Sequence, residues 1–167
     1  RCLVDNNIHV LDNREIIMVN YWLMKSELNV YPWDKLVADG TTHWDGVRNY
    51  QARNFMRDDM SLGDLAFFYQ SNCESPGIVG IMEITKLAYP DPLQFLKDNK
   101  YYDPKSTQEN PRWLNVDVTL VKKLSLIELK KLRNYSELKD MMILRKGNRL
   151  SITPVTKNEW SFINTIL

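Results

Sequence analysis

Apolar residues along the chain come in short runs closed by Gly, Pro, Asn and Asp, with no stretch near the roughly 20 residues that a membrane-spanning helix needs. The first run, Asn20 to Ser26, reads Asn-Tyr-Trp-Leu-Met-Lys-Ser and suits a buried first strand. Pro32 opens a short helix: its fixed φ suits the first helical position, and Trp33, Leu36 and Val37 recur at helical spacing until Gly40 stops them. His43-Trp44-Asp45-Gly46 reads as a turn, Asn49 to Met56 as a second helix, and Leu65 to Tyr69 as a strand ended by Ser71-Asn72. Gly77 to Lys86 is rich in Ile and Val and predicts another strand. Asp91-Pro92 begins a short helical turn, a polar loop spans 101–111, and a further strand runs from Trp113 to Val121.

Ser125 to Glu128 and Thr156 to Glu159 both carry the Ser/Thr-x-x-Glu spacing of a capping box, in which hydroxyl and carboxylate satisfy the free amides of a helix start. The second opens a terminal helix with Trp160, Ile163 and Leu167 on or near one face, after a strand from Leu150 to Thr153. Strands interrupted by short helices, without regular βαβ alternation, predict an α+β fold with a mixed or barrel-like sheet. The 167 residues, 44% hydrophobic, suit one domain with a sizeable core.

The charge pattern moves the functional reading away from bulk electrostatics. With 22 basic against 21 acidic residues the net charge is +1, and the pI is near 7.9, whereas domains held to duplex by phosphate neutralisation commonly exceed about pI 9. A nucleic-acid partner would have to be held through pocket contacts and stacking, each stacked base contributing about 1–3 kcal/mol. Five Trp, eight Tyr and five Phe supply the rings. Cys2 and Cys73 are too few for a disulfide framework and point to a reducing compartment; with His9 and His43 they show no paired metal-ligand spacing, so no metal is expected. The first residues do not read as a secretory signal peptide, and Met18 suits a natural start. Residues 1–18 read as an extension or tag-like arm before a single domain over 19–167.

Three places combine polar groups with aromatic surroundings, where a polar group must find a partner. At Lys25-Ser26-Glu27 the Ser26 hydroxyl ends a strand and suits either a turn cap or contact with a base edge. In Trp44 to Arg53, Trp44 is a stacking wall or a core residue, Asn49 a base reader or a helix cap, and Arg53 a phosphate ligand or a solvated cation. In Arg145 to Ser151, the cations Arg145, Lys146 and Arg149 around Gly147 form either an anion loop or a solvated turn. Catalytic chemistry is thin: His43 has no nucleophile beside it, and the carboxylates Glu27, Asp45 and Glu83 read first as turn, surface or cross-strand charges.

Tyr-Trp-Leu-Met-Lys-Ser-Glu at 21–27, Trp-Asp-Gly-Val-Arg-Asn-Tyr-Gln-Ala-Arg at 44–53 and Gly-Asp-Leu-Ala-Phe-Phe-Tyr at 63–69 resemble the EVE family. Ser71-Asn72, Pro76 to Gly80, Tyr102-Asp-Pro104, Pro111-Arg-Trp113 and Arg145 to Ser151 continue the likeness in order, so that it covers about Val19 to Ile163. The resemblance implies a PUA-like mixed β-barrel flanked by short helices, related also to YTH domains. It implies binding of DNA or RNA carrying a modified base, in particular a 5-modified cytosine, with no cofactor. Carried onto this sequence, it makes Ser26, Trp33, Trp44, Asn49 and Tyr69 ligand-binding candidates and Arg53, Arg145 and Arg149 phosphate-binding candidates. Leu28 stands where many members have Pro. The resemblance of this fold to ASCH domains offers an alternative, an enzyme hydrolysing a modified nucleoside through Glu27 and Asp45; a protein-interaction module is the third reading. The cytoplasm is the expected location for a bacterial source and the nucleus for a eukaryotic one.

Overall fold

The computed structural model describes residues 8–11 and 15–167, with side chains described from Met18 onward. Residues 1–7, Cys2 among them, and 12–14 fall outside the described residues; β1 (Ile8–Leu11) and β2 (Glu15–Met18) form a two-stranded antiparallel ribbon. The remaining strands, β3 (Tyr21–Glu27), β4 (Thr41–Trp44), β5 (Leu65–Ser71), β6 (Gly77–Pro90), β7 (Leu114–Glu128) and β8 (Ile152–Val155), form one sheet in the order β4-β7-β6-β5-β3-β8. Among the described residues only the β3–β5 pairing is parallel.

Both faces of this sheet are covered, which explains why β3 and β5 read as unbroken apolar runs rather than as alternating ones. On one face Trp22 and Met24 of β3 and Ala66 and Phe68 of β5 pack with Trp44, Val116 and Val118. Here α1 (Trp33–Asp39) and α2 (Tyr50–Asn54), the latter continued by one wider turn over Phe55–Asp59, complete the cover. On the other face Tyr21, Leu23, Phe67 and Tyr69 meet Leu132 of α3 (Leu129–Leu132) and Trp160 and Ile163 of α4 (Lys157–Thr165).

The mixed β-barrel of the sequence reading is corrected here: the sheet is open. Among the described residues β4 and β8 remain unpaired edges. Register shifts in the β5–β6 and β6–β7 ladders bend the sheet, as bulges do. They bring the β4 edge and the β3–β8 edge around toward each other, so that both border one cavity.

The capping boxes part company. At Thr156 the hydroxyl accepts from Glu159 N at 3.1 Å and Glu159 Oε1 accepts from Thr156 N at 3.0 Å, opening α4 as the sequence predicts. Ser125 to Glu128 instead continues β7, because pairing of Ile127 and Glu128 with Ile78 and Gly77 satisfies the backbone across the sheet. His43 and Trp44, expected in a turn, form the end of β4.

Candidate nucleic-acid interface

A cavity of about 140 Å³ lies at the seam where the sheet fails to close. Its walls come from four places in the sequence: Lys25, Ser26 and Glu27 at the end of β3 with Val30 and Tyr31 in the loop that follows; His43 to Val47, leaving β4; Tyr101 across from them; and Ser151 just before β8. All three polar places singled out in the sequence therefore reach this cavity, the third only through Ser151.

The His43–Val47 wall is held from behind by a buried carboxylate. Asp91 is fully buried and accepts from Gly46 N at 3.0 Å, Leu93 N at 2.8 Å and Arg48 Nη1 at 2.8 Å. Arg48 also donates Nε to the Tyr101 carbonyl at 3.0 Å and spreads its guanidinium over the Tyr101 ring, 5.3 Å from the centroid. One ion pair thus ties both sides of the cavity to the short helical turn at Pro92–Phe95. Gly46 makes the closeness feasible: its φ is +76°, and a Cβ there would stand 2.7 Å from Tyr101 Cζ.

The polar groups differ in what they offer. The Ser26 hydroxyl donates to the Tyr31 carbonyl at 2.6 Å, so its proton is committed and its oxygen is left as an acceptor. Tyr31 is in turn anchored by its hydroxyl to Asp39 Oδ2 at 2.9 Å. Burial pushes the Lys25 ammonium below the ordinary lysine range. Asp45, at the mouth, is raised above the ordinary carboxylate range, first by desolvation and then by the nearby Asp91 charge. His43 Nδ1 lies 3.3 Å from Asp117 Oδ1 and 3.1 Å from the Tyr89 hydroxyl, itself hydrogen-bonded to Asp117. The cavity thus offers flat rings, a lysine, two carboxylates and an acceptor hydroxyl.

The candidates named from the sequence are split by the fold. Ser26 and Trp44 line the cavity, and Trp44 is also core, 6% exposed with its ring edge-to-face on Phe68 at 5.5 Å. Trp33 sits elsewhere, its indole laid on Gly80 and against Phe68 at 5.1 Å. Asn49 caps α2, its Oδ1 accepting from Ala52 N at 3.0 Å. Tyr69 points to the opposite face of the sheet, where burial pushes its phenol up to about 12. Arg53 donates to Asn54 Oδ1 and the Arg112 carbonyl beside Tyr50. Arg145 and Arg149 are exposed on the loop that leads to Ser151. Val30, Tyr31 and Tyr101 are lining residues the sequence did not single out; the signal was Gly46, which needs a partner close to its backbone without saying which.

Leu28 N donates to Ser71 O at 3.0 Å, extending the β3–β5 ladder by one bond that a proline could not make. Among the described residues no cluster of His, Cys, Asp and Glu could hold a metal ion, and no helix is long and apolar enough to cross a membrane.

A family model described as EVE domain matches residues 20–166. Thymocyte nuclear protein 1 of Homo sapiens is 46% identical over 164 residues, covering 86% of this chain and 72% of its own length. A crystal structure of the human THYN1 protein in complex with 5-methylcytosine-containing DNA superposes with a TM-score of 0.81 at 45% identity, covering 88% of this chain and 96% of that one. The Pseudomonas syringae protein PSPTO5229 superposes with a TM-score of 0.84 at 44% identity, covering 87% and 98%.

Proposed function

The chain belongs to the EVE domain family, and from that premise we propose that it binds nucleic acid by admitting one base, a cytosine modified at its fifth carbon, into the seam cavity. The observation that carries this reading is the cavity itself. At about 140 Å³ it is smaller than the roughly 300–1,000 Å³ of sites for drug-sized ligands, a size that favours a single ring over a whole nucleotide. Trp44, Tyr31 and Tyr101 supply the flat walls a ring stacks on, and the acceptor oxygen of Ser26 suits an exocyclic amine. A relative of 45% identity in complex with 5-methylcytosine DNA supports the choice of base. Arg145 and Arg149 would meet phosphates on the β8 side; Trp33, Asn49 and Tyr69 support the fold around the site rather than the ligand.

A base leaves a duplex at a cost of a few kcal/mol, so single strands and weakened pairs bind better than intact duplex. Titrating tryptophan fluorescence with short single-stranded DNA and RNA, each carrying cytosine or 5-methylcytosine, tests the reading. Saturable binding that favours the methylated ligand sustains it; equal binding of both, or none, ends it. The names of the vertebrate relatives support a nuclear location for a eukaryotic source.

One observation favours a second reading. Glu27 and Asp45 both line the cavity, where two carboxylates could serve a nucleoside-hydrolysing enzyme. Mass spectrometry of a panel of modified nucleosides after incubation decides it: a released base supports the enzyme, and an unchanged panel removes it.

A further inference from the structure

From Tyr101, on the cavity wall, a continuous series of rings and guanidinium groups leads away to the surface at Tyr50. The Arg48 guanidinium lies 5.3 Å from the Tyr101 ring centroid and 5.5 Å from that of Trp113. Trp113 stacks on Tyr50, centroids 4.9 Å apart and planes at 28°. Arg53 lies 4.7 Å from the Tyr50 centroid, and Arg112 Nη1 approaches the Tyr50 hydroxyl at 3.4 Å. Trp113 is buried, and its indole N–H is anchored to Asp103 Oδ2 at 2.8 Å, whereas Tyr50 is 50% exposed. A half-exposed aromatic ring braced against a fixed indole presents a flat surface at little further entropic cost.

The charges there are compensated only at a distance, Arg53 by Asp58 and Arg112 by Asp103. Among the described residues neither Arg53 nor Arg112 takes part in an ion pair; the Arg53 fork is held by the side-chain amide of Asn54 and the Arg112 carbonyl, neither of which carries charge. Burial, and after it the neighbouring Arg57 charge, pushes the Arg53 guanidinium below its ordinary range, with Asp58 opposing the shift. In a chain of net charge +1 such a cluster is a local feature. A flat ring and two guanidinium groups with no direct ion pair among the described residues complement a ligand that carries a π-face and a phosphate together, which is the chemistry of a nucleotide.

We infer that Tyr50, Arg53 and Arg112 form a second nucleotide subsite, which stacks the base next to the one in the cavity on Tyr50 and holds its phosphate between the two arginines. The inference rests on the base-pocket reading and adds a preference for a strand over a free nucleoside, with Arg48 and Trp113 bridging the two subsites.

The test compares two single-stranded trinucleotides with a central 5-methylcytosine, one with normal flanking bases and one with abasic flanks. Tyr50→Ala should weaken the first about tenfold and leave the second unchanged, the loss expected for one stacked base. Tyr50→Phe should restore binding. Arg112→Gln should weaken both ligands alike and lower the slope of log K against log salt by about 0.7, one single-strand phosphate. Thermal melts confirm that each variant is folded. The subsite is overturned if Tyr50→Ala weakens both trinucleotides equally or neither, while the wild type still prefers methylated to unmethylated cytosine. A wild type that binds no trinucleotide, or binds without regard to the methyl group, removes the base pocket and the subsite with it.

Discussion

The two faces of the sheet are built from alternate residues of the same strands, yet their aromatic layers are packed differently. On the closed face Trp160 of α4 stacks on both Tyr21 and Phe67, at 4.5 and 4.0 Å with planes within 24°. Parallel rings from a helix and two neighbouring strands fill their layer. On the cavity face the rings meet edge-on, Trp44 and Trp33 both against Phe68, and the cover beyond β4 is a loop rather than a helix. That loop is held by hydrogen bonds to one buried carboxylate, and hydrogen bonds fix a backbone at a set distance where apolar packing would close the gap. The comparison teaches that aromatic content does not mark a binding site. The candidate site is where polar anchoring, rather than apolar packing, fixes the wall.

If the faces are separate in this sense, damage to each should read out differently. The largest effect is expected from Trp160→Ala on the closed face. It removes a buried ring with two stacking partners and should cost about 3–5 kcal/mol, lowering Tm by roughly 6–20 °C at 2–4 °C per kcal/mol. Binding of methylated oligonucleotide well below the Tm should hardly change; a change of preference for the methyl group would show that the faces are coupled and break the comparison.

Asp91→Ala strikes the cavity wall. It leaves Arg48 without its partner and Gly46 N without its acceptor, at a cost of about 3 kcal/mol, and it frees the Trp44–Val47 wall from Tyr101. Here binding should fall more than stability does, read by oligonucleotide titration at a temperature where the variant is fully folded. Full binding by the folded variant would mean that the wall does not need its anchor.

A smaller effect belongs to Tyr69. Its folded-state phenol is pushed up to about 12 from an ordinary value near 10, so the folded state holds a proton that the unfolded chain gives up earlier. The stability this provides is complete below pH 10 and is lost as the pH rises toward 12. Tyr69→Phe has nothing to titrate and should lose less stability over that interval; denaturant midpoints at pH 9 and 11.5 compare the two proteins. Equal losses would show that other groups govern alkaline unfolding.

The smallest effect is expected from Asp45→Asn. Desolvation and the Asp91 charge oppose ionisation of Asp45, so at neutral pH its charge works against the fold, and acidification through its titration relieves the strain. The amide should raise Tm at pH 7 by about 1–2 °C and flatten the pH dependence of the wild type between pH 7 and 4. A lower Tm would mean that the charge is compensated in the folded protein.

Most of the elements were legible in the chain, and the failures have definite causes. Gly40 with φ +75° ends α1 where the pattern stops, and Thr156 with Glu159 opens α4, because a turn glycine and a capping box act within a few residues. Ser125 with Glu128 has the same spacing and forms no cap, since β6 offers those residues a ladder that no local pattern reveals. Asn49 as a cap was legible for the same local reason, whereas the orientation of Tyr69 was not. One step along β5 separates the two faces, and Tyr69 falls with Phe67 on the face turned away from the cavity.

By itself the sequence determined the family, most of the strands and helices in their order, and three polar places worth watching, since those are written in local runs and in motifs kept in register. Tertiary structure alone decided that the sheet stays open, that the ends of β3 and β4 and the approach to β8 meet at the gap, and that Tyr31 and Tyr101 complete its walls. Residues 26, 44, 101 and 151 lie far apart in the chain. Only the bending of the sheet and the Asp91–Arg48 pair bring them to one cavity, and neither depends on contacts between neighbours in sequence.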